Sequence, residues 1–305
     1  MGINVLSLFD GISCGQVALE RAGVKVDNYY SSEINKDAIQ ITQKNYPKTI
    51  QLGDINKIKL DTIPEIDLII GGSPCQSFST LGDHTGFNGE SGLFYEFVRV
   101  LTKIKPKFFL FENINLKKEW REIITKELGV KPILINSSLV SGQDRKRLYW
   151  TNISNIDLPN DKGINLLDIL CHEHKTLIKL VPFVKKRLFN IEKKYGYIPK
   201  IFNPYNCSEI KNKSPCLTSQ GDSQTKSSSI IRYDGRNYYM LNSLEWERLQ
   251  TLKDNYTYIE GFSESKRKNV IGDGWTIEVI AHIFSSLSVQ LYRTLKIRKN
   301  KRKFF

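Results

Sequence analysis

A cysteine, a glutamate and two arginines stand out in this 305-residue chain, because each follows a segment that reads as a strand or a tight turn and each carries a reactive or charged end. Cys75 lies in Gly71-Gly72-Ser73-Pro74-Cys75-Gln76, directly after the apolar run Asp67-Leu68-Ile69-Ile70. A lone cysteine is ordinarily a buried structural thiol. Here the flanking proline and glycines open a loop instead, and residues 76–91 are rich in Gly, Ser and Thr, with Gly82, Gly86 and Gly89 as hinges. A loop of that composition beside a thiol suits closure over a substrate. The run Phe108-Phe109-Leu110-Phe111 delivers Glu112-Asn113, and a carboxyl group set against phenylalanines is a usable proton donor. Gln143-Asp144-Arg145-Lys146-Arg147 places two arginines two residues apart, so on an extended chain both point the same way. There they could hold a carbonyl or phosphate and favour a thiolate; the alternative is a solvated polar turn.

A second set of residues has the types needed to hold a nucleotide. Gly11 and Gly15 follow the strand-like Asn4-Val5-Leu6-Ser7-Leu8-Phe9, where they permit a sharp turn and a close backbone approach. Alone, two glycines four apart describe an ordinary turn. Acids at three successive strand ends, Asp10, Glu33 and Asp54, add the pattern of an adenosine held along the carboxyl edge of a sheet, with Glu33 on ribose hydroxyls. Without a GxGxxG run to cradle a pyrophosphate, S-adenosylmethionine fits better than NAD.

The elements that must position these residues follow from periodicity. Over the first 150 residues short apolar runs alternate with amphipathic stretches, the βαβ rhythm of a parallel sheet. Further strands are expected at 29–32, 49–52, 67–70, 107–111, 133–135 and 147–150, with a helix from Leu93 to Ile104. Residues 154–238 show no sustained period, and Thr218 to Ser229, lacking apolar side chains, read as a solvated or ligand-facing loop. Pattern returns at 241–252 and ends in a helix whose apolar face is Ile277, Ile280, Ala281, Phe284, Leu287 and Leu291. The expected organisation is a catalytic, cofactor-binding domain at 1–153, an insertion at 154–238, a return to the first domain at 239–290 and a basic tail at 291–305.

Charge and cysteine usage narrow the class. Lys and Arg exceed Asp and Glu by 13, and the tail supplies seven of that excess through Arg293, Lys296, Arg298, Lys299, Lys301, Arg302 and Lys303. This balance suits a polyanion such as nucleic acid, or else a merely solvated tail. Five cysteines without a CxxC pair do not make a disulfide framework. Cys171-His172-Glu173-His174 lacks a second ligand pair and reads as a polar surface segment, so no metal is expected. No apolar run reaches membrane-spanning length, and the first residues carry neither an export nor a myristoylation signal, so a cytoplasmic protein is expected.

Taken in order, Phe9-Asp10-Gly11, Glu33, Gly53-Asp54, Ser73-Pro74-Cys75-Gln76, Phe111-Glu112-Asn113, Gln143-x-Arg145-x-Arg147, Glu245-x-x-Arg248-Leu249-Gln250 and Gly272-x-Gly274-Trp275 resemble the DNA cytosine-5 methyltransferase family. The resemblance runs from residue 5 to about residue 285 with 154–238 unmatched, and the opening is similar to the animal de novo enzymes and to short phage or bacterial relatives. It implies an α/β fold with a Rossmann-like S-adenosylmethionine-dependent methyltransferase sheet and a small inserted target-recognition domain at 154–238. It also implies an enzyme that methylates carbon-5 of a cytosine flipped from duplex DNA.

On that resemblance Cys75 attacks carbon-6, Glu112 holds ring nitrogen 3 and the exocyclic amine, and Arg145 and Arg147 hold the base carbonyl and nearby groups. The cofactor, which leaves as S-adenosylhomocysteine, falls to Phe9, Gly11, Ile12, Glu33, Ile34, Asp54, Ile55, Pro74, Leu93, Asp273 and Trp275. DNA contacts fall to Gln76, Ser77, Ser79, Gln143, Arg232 and Arg236. Where the family has Gly-Asn, this chain has Gly272-Asp273, and an acid beside the methionine carboxylate would weaken binding unless Lys266 or Arg267 compensates. The implied partner is double-stranded DNA, bound by a monomer, with a cognate restriction enzyme as a candidate second partner. Two other readings stand beside this one: a tRNA cytosine-5 methyltransferase of the same fold, hinted at by Cys216-Leu217-Thr218, and a catalytically silent DNA-binding relative.

Overall fold

The computed structural model describes residues 2–74, 92–171, 176–219 and 223–301, with 293–301 as backbone only. The chain divides into two compact units: residues 1–135, 146–159 and 277–305 form the first, and residues 136–145 and 160–276 form the second. Residues 239–276, expected to return to the first domain, therefore lie in the second unit, and the return begins at Ile277.

The first unit begins with β1 (Ile3–Leu8), α1 (Cys14–Arg21), β2 (Val26–Ser32), α2 (Lys36–Asn45), β3 (Ile50–Gln51) and β4 (Leu68–Gly71). It continues with α3 (Leu93–Ile104), β5 (Phe108–Ile114), α4 (Lys118–Leu128), β6 (Ile133–Asn136) and β7 (Lys146–Thr151). Among the described residues the strand order is β3-β2-β1-β4-β5-β7-β6. The pairs from β3 through β5 are parallel, and β7 runs antiparallel to β5. Order reverses between β1 and β4, the switch point at which open α/β sheets hold ligands at their carboxyl edge. Both outermost strands, β3 and β6, are short.

Why these segments are strands is plain from their burial. Leu6, Leu8, Ile69, Ile70, Leu110 and Phe111 are buried, as continuous apolar runs must be when both faces of a parallel sheet are covered. Helix α3 lays Phe94 and Phe97 on one face, with ring centroids 5.2 and 4.8 Å from that of Phe111, and Trp150 continues the stack at 5.9 Å. Each such ring, fully buried, stabilises the fold by about 1.5–3 kcal/mol. On α1, a Cβ at Gly15 would overlap the Ile70 side chain, so glycine lets this helix ride close to the sheet.

Residues 154–238, expected to be irregular, hold regular structure. The second unit contains α5 (Leu166–Ile169), β8 (Thr176–Ile178), α6 (Pro182–Tyr195), β9 (Ile201–Asn203), β10 (Ser208–Glu209), β11 (Ile231–Tyr233) and β12 (Tyr238–Met240), followed by α7 (Ser243–Leu249) and α8 (Glu264–Asp273). Its sheet runs β10-β9-β11-β12-β8. Val184 and Ile191 of α6 pack with Phe202 and Ile231 of that sheet. The first unit closes with α9 (Ile277–Lys301), whose Ile280, Ile283, Phe284 and Leu287 are buried.

Candidate active site

Strand register sets one line of residues level with one another. Leu8 pairs with Ser32 and with Gly71, and Gly71 pairs with Phe111. One position beyond that line stand Phe9, Glu33, Gly72 and Glu112, so the first unit brings the nominated strand-end residues to a single edge.

The turn after β1 is built on left-handed backbone: Phe9, Gly11 and Ser13 have φ of 57°, 58° and 60°. Such angles disfavour side-chain-bearing residues, and the turn is held by hydrogen bonds from within. Asp10, expected to face the ligand with the other two acids, points inward. Its carboxylate accepts from Ser13 (2.7 Å), Ser31 (2.9 Å) and Tyr29 (2.8 Å). Burial pushes the Asp10 carboxyl above its ordinary range, and these hydroxyl donors offset part of that rise. Burial and the neighbouring Asp10 charge likewise push the Tyr29 hydroxyl well up.

Glu33 and Asp54 do stay at the edge. Glu33 accepts from the Ile34 and Asn35 amides through Oε1 (2.8 and 2.7 Å) and from the Gly11 amide through Oε2 (2.7 Å). A carboxylate offers about four acceptor positions, so one remains for a hydroxyl. Asp54 accepts from the Asn56 backbone and side-chain amides, which hold its carboxyl below the usual range. Ile34, next to Glu33, is 74% exposed, and a large apolar side chain left in water at a ligand edge offers a plate for a flat ring. An exposed apolar plate, an acceptor for ribose and an acceptor for an exocyclic amine fit the adenosine part of S-adenosylmethionine. Ile12 and Ile55 are buried, and Phe9, Pro74 and Leu93 are half-buried.

Glu112 on β5 pairs with Arg147 on β7, with Arg147 Nε 3.1 Å from Glu112 Oε1 and the side chains 11% and 14% exposed. The antiparallel register sets Arg147 opposite Ile114, on the same face as Glu112. Ser73 Oγ and Asn113 Nδ2, at the ends of the adjacent strands β4 and β5, are buried without a hydrogen-bond partner among the described residues. Cys75, Gln76, Ser77 and Ser79 lie outside the described residues, as do His172, Glu173 and His174.

The two arginines do not point the same way. Arg145 precedes β7 and is buried in the second unit, where its guanidinium donates to the carbonyls of Leu217 (2.8 Å), Gly272 (3.3 Å) and Gly274 (3.0 Å) and to Cys216 Sγ (3.3 Å). The extended strand begins only at Lys146, so the two-residue rule does not reach back to Arg145. Gln143 is interior too, accepting from the Leu217 amide and donating to the Leu249 carbonyl and Gln250.

Two further expectations change in the second unit. Arg232 is committed to buried Glu245 at 2.8 Å, while Arg236 is exposed in the β11–β12 turn. Burial pushes the Glu245 carboxyl up, against the pull of the Asn242 and Cys171 amides and of Arg232. The described part of 218–229 is mostly half-buried rather than solvated, with Thr218 bonded to Ser228 at 3.1 Å and Gln224 bonded to Lys179 and Val181. Asp273 is exposed and Trp275 half-buried. Arg267, proposed as a compensating cation for Asp273, is instead buried against Glu247 at 3.0 Å. The sequence reading missed this ion pair; polar residues recurring in α7 and α8 were the available signal.

The C-5 cytosine-specific DNA methylase family model matches residues 3–289. Orphan methyltransferase M.SPRI of Bacillus phage SPR is 42% identical over 197 residues, covering 58% of this chain and 44% of that protein. Type II methyltransferase M.NgoBV of Neisseria gonorrhoeae is 32% identical over 216 residues, covering 61% and 50%. The chain thus spans about half the length of these relatives. Among solved structures, the Entamoeba histolytica methyltransferase EhMeth superposes with a TM-score of 0.76 at 17% identity, covering 95% of this chain and 99% of that one. The S. pombe Dnmt2 methyltransferase gives 0.67 at 16% identity, covering 95% and 99%. These likenesses share the methyltransferase fold, and among the described residues no helix is long and apolar enough to cross a membrane.

Proposed function

Because the chain belongs to the C-5 cytosine-specific DNA methylase family, we propose that it methylates carbon-5 of a cytosine flipped out of duplex DNA, through a bond between Cys75 and carbon-6. Carbon-5 of cytosine is a weak nucleophile until a thiolate adds at carbon-6 and pushes an electron pair into the ring. Glu112 protonates ring nitrogen 3 as that pair arrives, and Arg147 fixes the carboxyl and the base carbonyl beside it. S-adenosylmethionine supplies the electrophilic methyl group, and Glu33, Asp54 and Ile34 bind and orient its adenosine part. Loss of the carbon-5 proton to water re-forms the carbon-5–carbon-6 double bond, breaks the carbon–sulfur bond and frees the thiolate, while ring nitrogen 3 returns its proton to Glu112. The second unit, carrying residues 160–238, contributes target recognition.

The observation that supports this reading best is Glu112, one residue beyond the level line of strand ends on the strand next to the one that leads into Pro74-Cys75, paired with Arg147 from β7. Trapping tests it. A pool of duplexes carrying 5-fluorocytosine, incubated with the protein and S-adenosylmethionine, should leave a covalent adduct that peptide mass spectrometry locates at Cys75, and Cys75→Ala should leave none. Parallel incubations of tritiated donor with duplex DNA and with tRNA separate the two nucleic-acid substrates. Well-folded protein that labels neither and forms no adduct overturns the reading.

A further inference from the structure

We propose that the outer face of α6 is a contact surface for the phosphate backbone of duplex DNA, an inference that rests on the methyltransferase reading above. Of the residues nominated from sequence for DNA contact in the second unit, Arg232 pairs with Glu245 and Gln143 is interior, while Arg236 is exposed. A further group of exposed positive charge in this unit lies on α6.

The helix has two faces. Inward, Val184 and Ile191 are buried against Phe202 and Ile231, so its apolar requirement is met. Outward, Lys185, Lys186, Phe189 and Lys193 fall at helical spacing and are all exposed, Phe189 at 70%. Arg187 and Lys194 are engaged locally: Arg187 lies over the Phe183 ring at 5.2 Å, and Lys194 lies over the Tyr195 ring at 5.0 Å and bonds the Cys207 carbonyl. Lys185, Lys186 and Lys193 form no ion pair among the described residues. Glu192 is the single acid of the helix. Lys185 and Lys193 are separated by about 12 Å along the axis at 1.5 Å per residue. Each DNA strand carries a phosphate every ~3.4 Å of axis, so the stripe spans several of them. Lysine is a flexible point charge that suits phosphate oxygens, without the planar fork that reads bases. The exposed Phe189 ring sits amid these cations, where a sugar edge would cover it. A membrane surface fits less well, because interfacial helices bury a broad apolar face in lipid and this helix has spent that face on its own core.

The test uses the full chain and a labelled duplex, with binding followed by anisotropy across salt. Replacing Lys185, Lys186 and Lys193 together by Ala removes three cations, so the slope of log affinity against log salt should become shallower by about 2.7. Between 50 and 200 mM salt the parent should therefore lose about 40-fold more affinity than the triple variant. The same triple change to Gln guards against a packing effect. Phe189→Ala should weaken binding without changing the slope. A parent that binds and methylates DNA, with a triple variant of unchanged slope, overturns the α6 proposal alone. Binding to phosphatidylserine vesicles that the triple variant abolishes, with the DNA slope intact, also overturns it. A parent that neither binds nor methylates DNA sinks the methyltransferase reading along with it.

Discussion

Removing the guanidinium from Arg147 deprives Glu112 of the cation 3.1 Å away in a nearly water-free strand pair. At an effective dielectric of about 20 the Coulomb attraction across 3.1 Å is about 5 kcal/mol, most of which offsets the cost of taking two charges out of water. Breaking a buried pair from one side costs about 3–5 kcal/mol, and the slight exposure of both groups argues for the lower end. Arg147→Met should therefore lower the opening free energy of the β5–β7 ladder by about 3 kcal/mol, or about 150-fold in exchange rate. Neutralising the other side as well, in Glu112→Gln/Arg147→Met, removes the stranded charge and should recover about 2 kcal/mol of that loss. Native-state hydrogen exchange on residues 110–113 and 148–151 reads this directly, under conditions where exchange reports the opening equilibrium. If the double variant loses the full sum of the two single changes, the pair is held by packing and the charge account is refuted.

Three further outcomes are expected. Gly11→Ala meets no neighbour within 4 Å but must adopt φ near +58°, at about 1–2 kcal/mol, so calorimetric affinity for S-adenosylmethionine should fall about 5–30-fold; unchanged affinity speaks against this turn as a ligand holder. Asp10 has a native carboxyl raised above its unfolded value, so its contribution is fully present below the unfolded value and is lost as pH rises through the native one. The urea midpoint of the parent should accordingly decline relative to that of Asp10→Asn over that window, and parallel curves would count against burial as the cause. Arg145→Met takes a charged donor from three carbonyls in the second unit, of which Gly274 keeps the Gln250 amide, and should cost about 2–5 kcal/mol, seen as loss of protease resistance around residues 214–219 and 271–276. A variant that keeps its resistance and loses only turnover would return Arg145 to the chemistry.

Much of the first unit can be read from the residues alone, because its strands are long apolar runs and α3 repeats phenylalanines at helical spacing. Glu33, Asp54 and Glu112 are nominated by one rule, an acid just past an apolar strand run, although β5 itself continues through Glu112 to Ile114. The same rule misplaced Asp10, since a strand end does not reveal which way a side chain turns; the hydroxyls of Ser13, Tyr29 and Ser31 that capture it come from separate segments. Arg145 and Arg147 differ because parity holds only within a strand, and the strand starts between them. Helix α6 was hidden by composition: its inner face is Val184 and Ile191 among lysines, too sparse a signal against a Lys-rich background.

The outermost strands of the large sheet bear on what happens at high concentration. The five inner strands β2, β1, β4, β5 and β7 would be a ready template for a neighbouring chain if their backbone groups were open on a flank. Here the flanks are the two-residue Ile50–Gln51 and the four-residue Ile133–Asn136, too brief for another chain to dock along. Lengthening either flank is thus the kind of change that would promote association between chains, with no alteration at the ligand-facing end.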